Sequence, residues 1–378
     1  LTGADSIHPG FGFLSENANF AKICDEIGIK FIGPKHELIE LLGNKSKAKE
    51  TMKKAGVPVV PGSEGLVKTK NDAIEIAKQI KYPVILKASA GGGGRGIRVA
   101  YNEEALKKEY DIVKQEAKVS FNDDSIYIEK FIENPRHIEI QILADEHGNC
   151  IHLGERDCSV QRRNQKILEE TPSSVISDKT RKKMGEVAVK AVKEIGYSNA
   201  GTIEFLVDKN QDFYFMEMNT RVQVEHPVTE MVTGIDIIKE QIKIASGEKL
   251  TYQQEDICFT GHSMEARINC ENPSKNFMPC AGTIKGLHLP GGNGIRVDTA
   301  IYSGYTIPPN YDSMIAKIIV HGKDRQESIQ KMKSAVAELV VDGIQTNADF
   351  ILEILDNTNF LNNQYDTSFI AKEFDVNN

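Results

Sequence analysis

A strand that alternates charged and apolar residues can bury one face only, and Glu217-Met-Asn-Thr-Arg-Val-Gln-Val-Glu-His-Pro227 puts its chemistry on the face that is normally solvated. With a two-residue side-chain period, Glu217, Asn219, Arg221, Gln223 and Glu225 share one side, and Met218, Val222 and Val224 the other. Upstream, the β-rich runs Gly201–Val207 and Phe213–Met216 flank the turn-like Asp208-Lys-Asn-Gln-Asp212. A hairpin pairing Asp208 with Phe213 sets Glu204 opposite Glu217, and like charges directly opposed repel. A divalent cation is the simplest compensation. The donors are two carboxylates and the Asn219 amide, so the expected ion is hard, Mg²⁺ or Mn²⁺, of the kind that serves substrate phosphates. The alternative is an ion pair of Glu204 or Glu217 with Arg221 on a solvated sheet face.

At 378 residues the chain has room for two or three domains. Its net charge of −8 argues against general nucleic-acid binding. No apolar run reaches the ~18 residues that span a bilayer, and Leu1-Thr-Gly-Ala-Asp5 has neither the basic start nor the apolar core of a signal peptide. A cytoplasmic protein without membrane partners is expected. The opening residues read like the middle of a domain, so an N-terminally truncated chain is expected too. The six cysteines are scattered without a CxxC pair and read as reduced thiols; Cys158, near charged residues, is the candidate for a reactive one. Neither a GxSxG elbow nor zinc-ligand spacing is present, which sets aside hydrolase and zinc readings.

The periodicity predicts helices over Ala18–Ile27, Lys45–Ala55, Asn71–Lys81 (with Asn71 as N-cap), Glu103–Ala117, Asp178–Ile195 and Gln326–Leu339. Residues 60–130 read as a compact α+β unit, and strands dominate from Arg136 onward, including one over Phe213–Glu225. Gly91–Gly94 lies between two strands. A P-loop or a dinucleotide fingerprint would need a helix after the glycines, so the run reads as a flap whose backbone can approach phosphates, with Lys87 as a nearby cation, or as a plain surface hairpin. Glu129, in an alternating strand before Asn134-Pro135, could meet an adenine ring. Gln161-Arg-Arg-Asn-Gln-Lys166 suits an anionic substrate or is a solvated charged turn. Arg267 shares an alternating strand with Glu265, as an ion pair or as a functional group. His137 could bond a ribose or fill a core edge.

Five runs then carry a resemblance: His8–Asn17, Lys87–Gly96, Glu129–His137, Glu155–Arg163 and Glu217–Pro227. Together they resemble the biotin carboxylase family of the ATP-grasp superfamily over essentially the whole chain. The acetyl-CoA carboxylase branch looks most similar, with the pyruvate and propionyl-CoA carboxylases as near alternatives. The resemblance implies an α/β and α+β architecture: a remnant of an N-terminal α/β domain at residues 1–44, an ATP-grasp lid at 45–131, an ATP-grasp catalytic subdomain at 132–250 and a biotin carboxylase C-terminal domain at 251–378. It implies a ligase that uses ATP, a pair of Mg²⁺ or Mn²⁺ ions and bicarbonate to carboxylate biotin on a carrier protein. Carboxyltransferase subunits would be its further partners and a homodimer its assembly.

By the same resemblance, Lys45, Lys87, Gly93, Gly94, Glu129, Lys130, Ile132, His137, Gln161 and Asn164 fall at the nucleotide. Glu204, Glu217 and Asn219 would hold metal. Lys166, Arg221, Gln223 and Val224 would hold bicarbonate, Glu225 would deprotonate it, Arg267 would stabilise the biotin enolate, and Arg221 matches the family's catalytic arginine. Asn164 stands where many relatives carry His, so altered nucleotide affinity is expected. Another ATP-grasp ligase, or a nucleotide-binding module without turnover, are the competing readings.

Overall fold

A computed structural model describes residues 2–88, 97–121 and 124–374; the glycine run, with Gly93 and Gly94, lies outside these residues. The chain divides into two compact units, one of Pro58–Glu133 and one of Leu1–Val57 with Asn134–Asn378.

In the smaller unit, β1 (Val84–Ala88) is flanked by β2 (Ile97–Ala100) and β3 (Ile126–Lys130) in an antiparallel sheet. Val84 and Leu86 face inward and pack with Ala73, Ala77, Leu106 and Val113 from helices Lys70–Ile80 and Glu103–Phe121. The first of these helices starts earlier than expected. Thr69, not Asn71, is the cap: its hydroxyl accepts the Asp72 N–H while the Asp72 carboxylate accepts the Thr69 N–H. This reciprocal box satisfies two otherwise unpaired N–H groups, more than a lone Asn could.

The larger unit is built on an antiparallel sheet of eight strands among the described residues. They are β4 (Arg136–Ala144), β5 (Cys150–Arg162), β6 (Gln165–Thr171), β7 (Asn199–Val207), β8 (Phe213–Asn219), β9 (His262–Asn269), β10 (Ile295–Thr299) and β11 (Met314–Gly322), in the order β8-β7-β4-β5-β6-β9-β11-β10. Every residue of β4 is buried. Ile138, Ile140 and Ile142 alternate there with His137, Glu139 and Gln141, so one face of the sheet is apolar and the other is polar yet enclosed. Helix Asp178–Glu194 packs on β4 and β5, with Ser177 as its N-cap and Met184, Ala188, Ala191 and Val192 buried. Helix His226–Thr233 packs on β5, β6, β9 and β11. Among the described residues no helix is long and apolar enough to cross a membrane.

Two expectations about the β7–β8 hairpin are corrected. Phe213 pairs with Val207, not Asp208, a register that by itself would put Met216 opposite Glu204. A bulge between Phe215 and Glu217 inserts one residue and restores Glu217 opposite Glu204. The strand also stops at Asn219 instead of running to Glu225. The next N–H, that of Thr220, is taken by the Glu16 carboxylate at 3.0 Å, and residues 220–225 are irregular until the helix begins at His226.

Close packing makes one glycine irreplaceable. Gly154, on β5, has φ +77°, and a Cβ there would lie 1.9 Å from the Phe259 ring. Gly154→Ala is expected to lower unfolding stability by roughly 1–3 kcal/mol through overpacking, read from urea denaturation midpoints. An unchanged midpoint would mean that neither the Phe259 contact nor the left-handed backbone at Gly154 carries a cost.

Candidate active site

The polar face of the sheet carries a row of charge. Register aligns Glu217 on β8, Glu204 on β7, Glu139 on β4 and Arg156 on β5. Three carboxylates side by side would repel. Arg156, fully buried, answers part of this charge: its Nε donates to Glu139 Oε1 at 2.6 Å, and its other nitrogens reach Gln141, Thr202 and Thr229. Thr229 lies on helix His226–Thr233, so this guanidinium also ties the helix to the polar face.

Lys166, on β6, supplies the second cation. Its ammonium lies 2.6 Å from Glu139 Oε2, 2.6 Å from Glu225 Oε1, 3.1 Å from Glu204 Oε1 and 3.3 Å from Gln223 Oε1. Burial disfavours this charge, but the carboxylates of Glu139, Glu225 and Glu204 outweigh it and carry the lysine pKa well above its usual range. Burial likewise opposes ionisation of Glu204, yet Lys166, His137 and Gln223 hold its carboxyl far below the ordinary carboxylate range. His137 Nε2 sits 2.9 Å from Glu204 Oε2.

Glu225 stands at the N-terminus of helix His226–Thr233 and is fully buried. Its two oxygens bridge two cations, Lys166 at 2.6 Å and Arg267 Nη2 at 2.9 Å. Burial alone would raise its pKa; Lys166, Arg267 and Arg156 together drive it well below the usual value, so it is ionised at neutral pH. Arg267 is held at its other edge by Glu169, Nε to Oε1 at 2.6 Å. The Val224 carbonyl accepts from Lys317 Nζ at 2.6 Å.

Arg221 joins the Lys166 cluster through Asn219, which bonds Glu204. It reaches Glu16 at 2.8 Å, the Asn219 side-chain oxygen at 3.0 Å and the Val222 carbonyl at 3.2 Å. Neither expected glutamate pairs with it. Glu217 is partly exposed, with Lys45 Nζ 3.5 Å away, and Asn219 donates to Glu204 Oε1 at 2.9 Å. Glu204, Glu217 and Asn219 offer oxygen atoms on two paired strands, chemistry that fits a hard divalent ion, with the Asn219 oxygen turned to Arg221 and its amide nitrogen to Glu204.

The residues expected at a nucleotide are divided between the units. In the smaller one, Lys87 and Glu129 form an ion pair at 2.7 Å, the Lys130 ammonium donates to the carbonyls of Lys81 and Tyr82, and Ile132 is buried. In the larger one, Lys45 opens helix Lys45–Lys54, which Asn44 caps. Gln161 pairs with Lys166 across the β5–β6 hairpin. Its turn residues Arg163 and Asn164 have φ +50° and +66°, a left-handed pair in which Asn is favoured. The basic run does not act as one loop: Arg162 and Arg163 bond Asn276, while Lys166 turns into the buried cluster.

Sequence reasoning missed Glu139, Arg156, Glu169, Lys317 and Glu16. The alternation of His137, Glu139 and Gln141 with three isoleucines was a usable signal for Glu139. The others depend on partners far away in the chain. Cys158 follows the reading of the cysteines as reduced thiols: it is fully buried 3.9 Å from Glu225, and burial pushes its thiol well above the ordinary value, which leaves no reactive thiolate.

The chain is similar to known proteins. Residues 1–39 match the family described as biotin carboxylase, N-terminal domain; residues 44–253 match the carbamoyl-phosphate synthase L chain, ATP binding domain; residues 265–372 match the biotin carboxylase C-terminal domain. The chain is 56% identical to biotin carboxylase 1 of Bacillus subtilis, over 100% of this chain and 84% of that protein. It is 52% identical to the 2-oxoglutarate carboxylase small subunit of Hydrogenobacter thermophilus, over 98% of this chain and 78% of that one. A solved structure of the biotin carboxylase domain dimer of the Hydrogenobacter thermophilus 2-oxoglutarate carboxylase, in complex with MgADP, ADP and bicarbonate, superposes with a TM-score of 0.87 at 52% identity, covering 99% of this chain and 83% of that one.

Proposed function

The chain belongs to the biotin carboxylase family, and on that premise we propose that it carboxylates biotin on the carrier protein of an acetyl-CoA carboxylase, using ATP, bicarbonate and Mg²⁺ or Mn²⁺. The observation that carries the chemistry is the buried Glu225 carboxylate bridging Lys166 and Arg267. An ionised carboxylate flanked by two cations is suited to an anion that must lose a proton: the cations draw bicarbonate in, and Glu225 accepts its hydrogen. The resulting carbonate oxygen attacks the γ-phosphorus of ATP, giving ADP and carboxyphosphate. Carboxyphosphate breaks down to CO₂ and phosphate; the released phosphate takes the N1′ proton of biotin, and N1′ attacks CO₂ to give carboxybiotin.

In this reading Lys166, Arg221, Gln223 and the Val224 backbone hold bicarbonate, and Arg267 faces the enolate oxygen of biotin. Glu204, Glu217 and Asn219 are the residues that would hold metal, which when bound neutralises phosphate charge. Lys45, Lys87, Glu129, Lys130, Ile132, His137, Gln161 and Asn164 serve the nucleotide. Asn164 supports an altered contact without a strained turn, because Asn adopts the left-handed conformation readily.

The test is bicarbonate-dependent ADP release with Mg²⁺, with and without free biotin. Release stimulated by biotin is expected; release indifferent to biotin would leave only a generic ATP-grasp ligase. The 52% identity to a protein of 2-oxoglutarate carboxylase supports a second reading, service to a keto-acid carboxylase, that for pyruvate included, with propionyl-CoA carboxylase a further variant. Labelled bicarbonate offered with purified carrier proteins from each system would separate them by which carrier takes label. A carboxyltransferase partner and a cytoplasmic setting accompany the acetyl-CoA reading, and the relative solved as a dimer supports a homodimer.

A further inference from the structure

Glu265 has no role in the chemistry above, yet it is the most anomalous side chain near it. It is fully buried on β9, and neither of its carboxyl oxygens has a hydrogen-bond partner. An ammonium, Lys317 Nζ, lies 3.8 Å from Oε2. Register sets Glu169 of β6 directly opposite. Glu169 is also fully buried, with Oε1 on Arg267 and Oε2 unpartnered. Opposed side chains on an antiparallel pair share one face with Cβ atoms roughly 4.5–5.5 Å apart. Two ionised carboxylates there would repel, and an unbonded buried charge is costly in itself.

The ion pairs around the two residues point the same way. Lys317, the cation nearest Glu265, lies 3.8 Å from it and 3.6 Å from Asp298, so two carboxyls share it. The orphaned oxygens place the uncompensated carboxyl at Glu265 and Glu169.

We propose that Glu265 and Glu169 share one proton, and that this proton positions Arg267 for the biotin half of the reaction. With Glu265 neutral, Glu169 alone anchors the Nε edge of the guanidinium, and Nη2 stays aimed at Glu225. Loss of the proton creates a second anion two residues from Arg267 on the same strand face, which competes with Glu225 for the guanidinium. Burial raises both carboxyls, Glu169 to about 7 and Glu265 well above the ordinary value. A raised carboxyl is protonated below its folded pKa and loses its proton as pH rises, so the working arrangement holds at neutral pH and fails on the alkaline side. The groups facing the pair are Arg267 on β9, Lys317 on β11, Lys166 on β6, Cys158 on β5 and Glu225 at the covering helix; His226 on that helix and Asp298 on β10, at 3.6 Å, act through Lys317.

The inference rests on the biotin carboxylase reading for the role of Arg267, so its test has one arm that needs no turnover. Infrared spectra of the unsubstituted protein are expected to show a protonated-carboxyl C=O band at neutral pH that titrates away on the alkaline side and is absent in Glu265→Gln. Glutamine mimics the protonated acid, so Glu265→Gln is also expected to lose the alkaline fall in kcat/KM for biotin. Absence of the band in the unsubstituted protein overturns the shared proton, whatever the activity and even if the variant does not fold. A folded Glu265→Gln that keeps the alkaline fall overturns the positioning role.

Discussion

Glu225→Gln is expected to reduce biotin-stimulated ADP release by about 10²- to 10⁴-fold, the span a general base typically contributes. Glutamine has the same shape as glutamate and cannot accept the proton of bicarbonate. The pH dependence gives a second check. Lys166, Arg267 and Arg156 depress the Glu225 pKa against the effect of burial. Its deprotonated form therefore persists to unusually low pH, and the acid limb of kcat/KM for bicarbonate due to Glu225 should lie below the ordinary carboxylate range. Nucleotide binding, measured by calorimetry, should survive the substitution, because the residues assigned to ATP do not include Glu225. A variant that turns over like the parent would remove Glu225 from the chemistry. One that binds no nucleotide would mean that the substitution damages more than the base.

Lys166→Met is expected to cost both activity and stability. Lys166 is within 3.1 Å of Glu139, Glu204 and Glu225, all buried. Methionine fills much the same volume but removes the charge that compensates these carboxylates. Breaking a buried ion pair by deleting one partner costs about 3–5 kcal/mol, and here several carboxylates share the lost cation. The pH dependence of that cost has a definite sign. In the parent, Glu204 and Glu225 have lowered pKa values, so their contribution to stability is present above the ordinary carboxylate range and lost as pH falls through the folded values. In the variant these groups keep their burial without the lysine, so their pKa values rise. The folded state then holds more protons than the unfolded one, and stability declines as pH rises. Urea unfolding at about pH 6 and about pH 8 should thus show a larger deficit at the higher pH. A deficit that is small and independent of pH would mean that Arg156 and Arg267 suffice to compensate the cluster.

These experiments bear on residues of two kinds, those that local sequence exposed and those that only folding brought together. Lys166, Gln223, Glu225 and Arg267 were singled out from short runs, and they do meet. The hairpin argument reached the facing Glu204 and Glu217 by a register that the chain does not adopt, and the bulge at Met216 supplied the missing residue. Bulges are set by the neighbouring strand and by packing, and no local propensity announces one. The same limit explains the strand that ended at Asn219: an alternating pattern describes which side chains point inward, but the partner that ends the ladder is Glu16, more than half the chain away in sequence.

The sequence by itself determined which chemical groups are available and which of them lie close along the backbone: the oxygen atoms of Glu204, Glu217 and Asn219, the carboxylate of Glu225 and the mixed α/β plan. Side-chain period and capping are local physics, readable over a few residues. Tertiary structure alone decided the charge states. Whether Glu225 is ionised, Cys158 inert or Glu265 protonated depends on burial and on cations delivered by β5, β6, β9 and β11. These energies arise from desolvation and from charges a few ångströms apart in space, and the linear order of residues does not encode those distances.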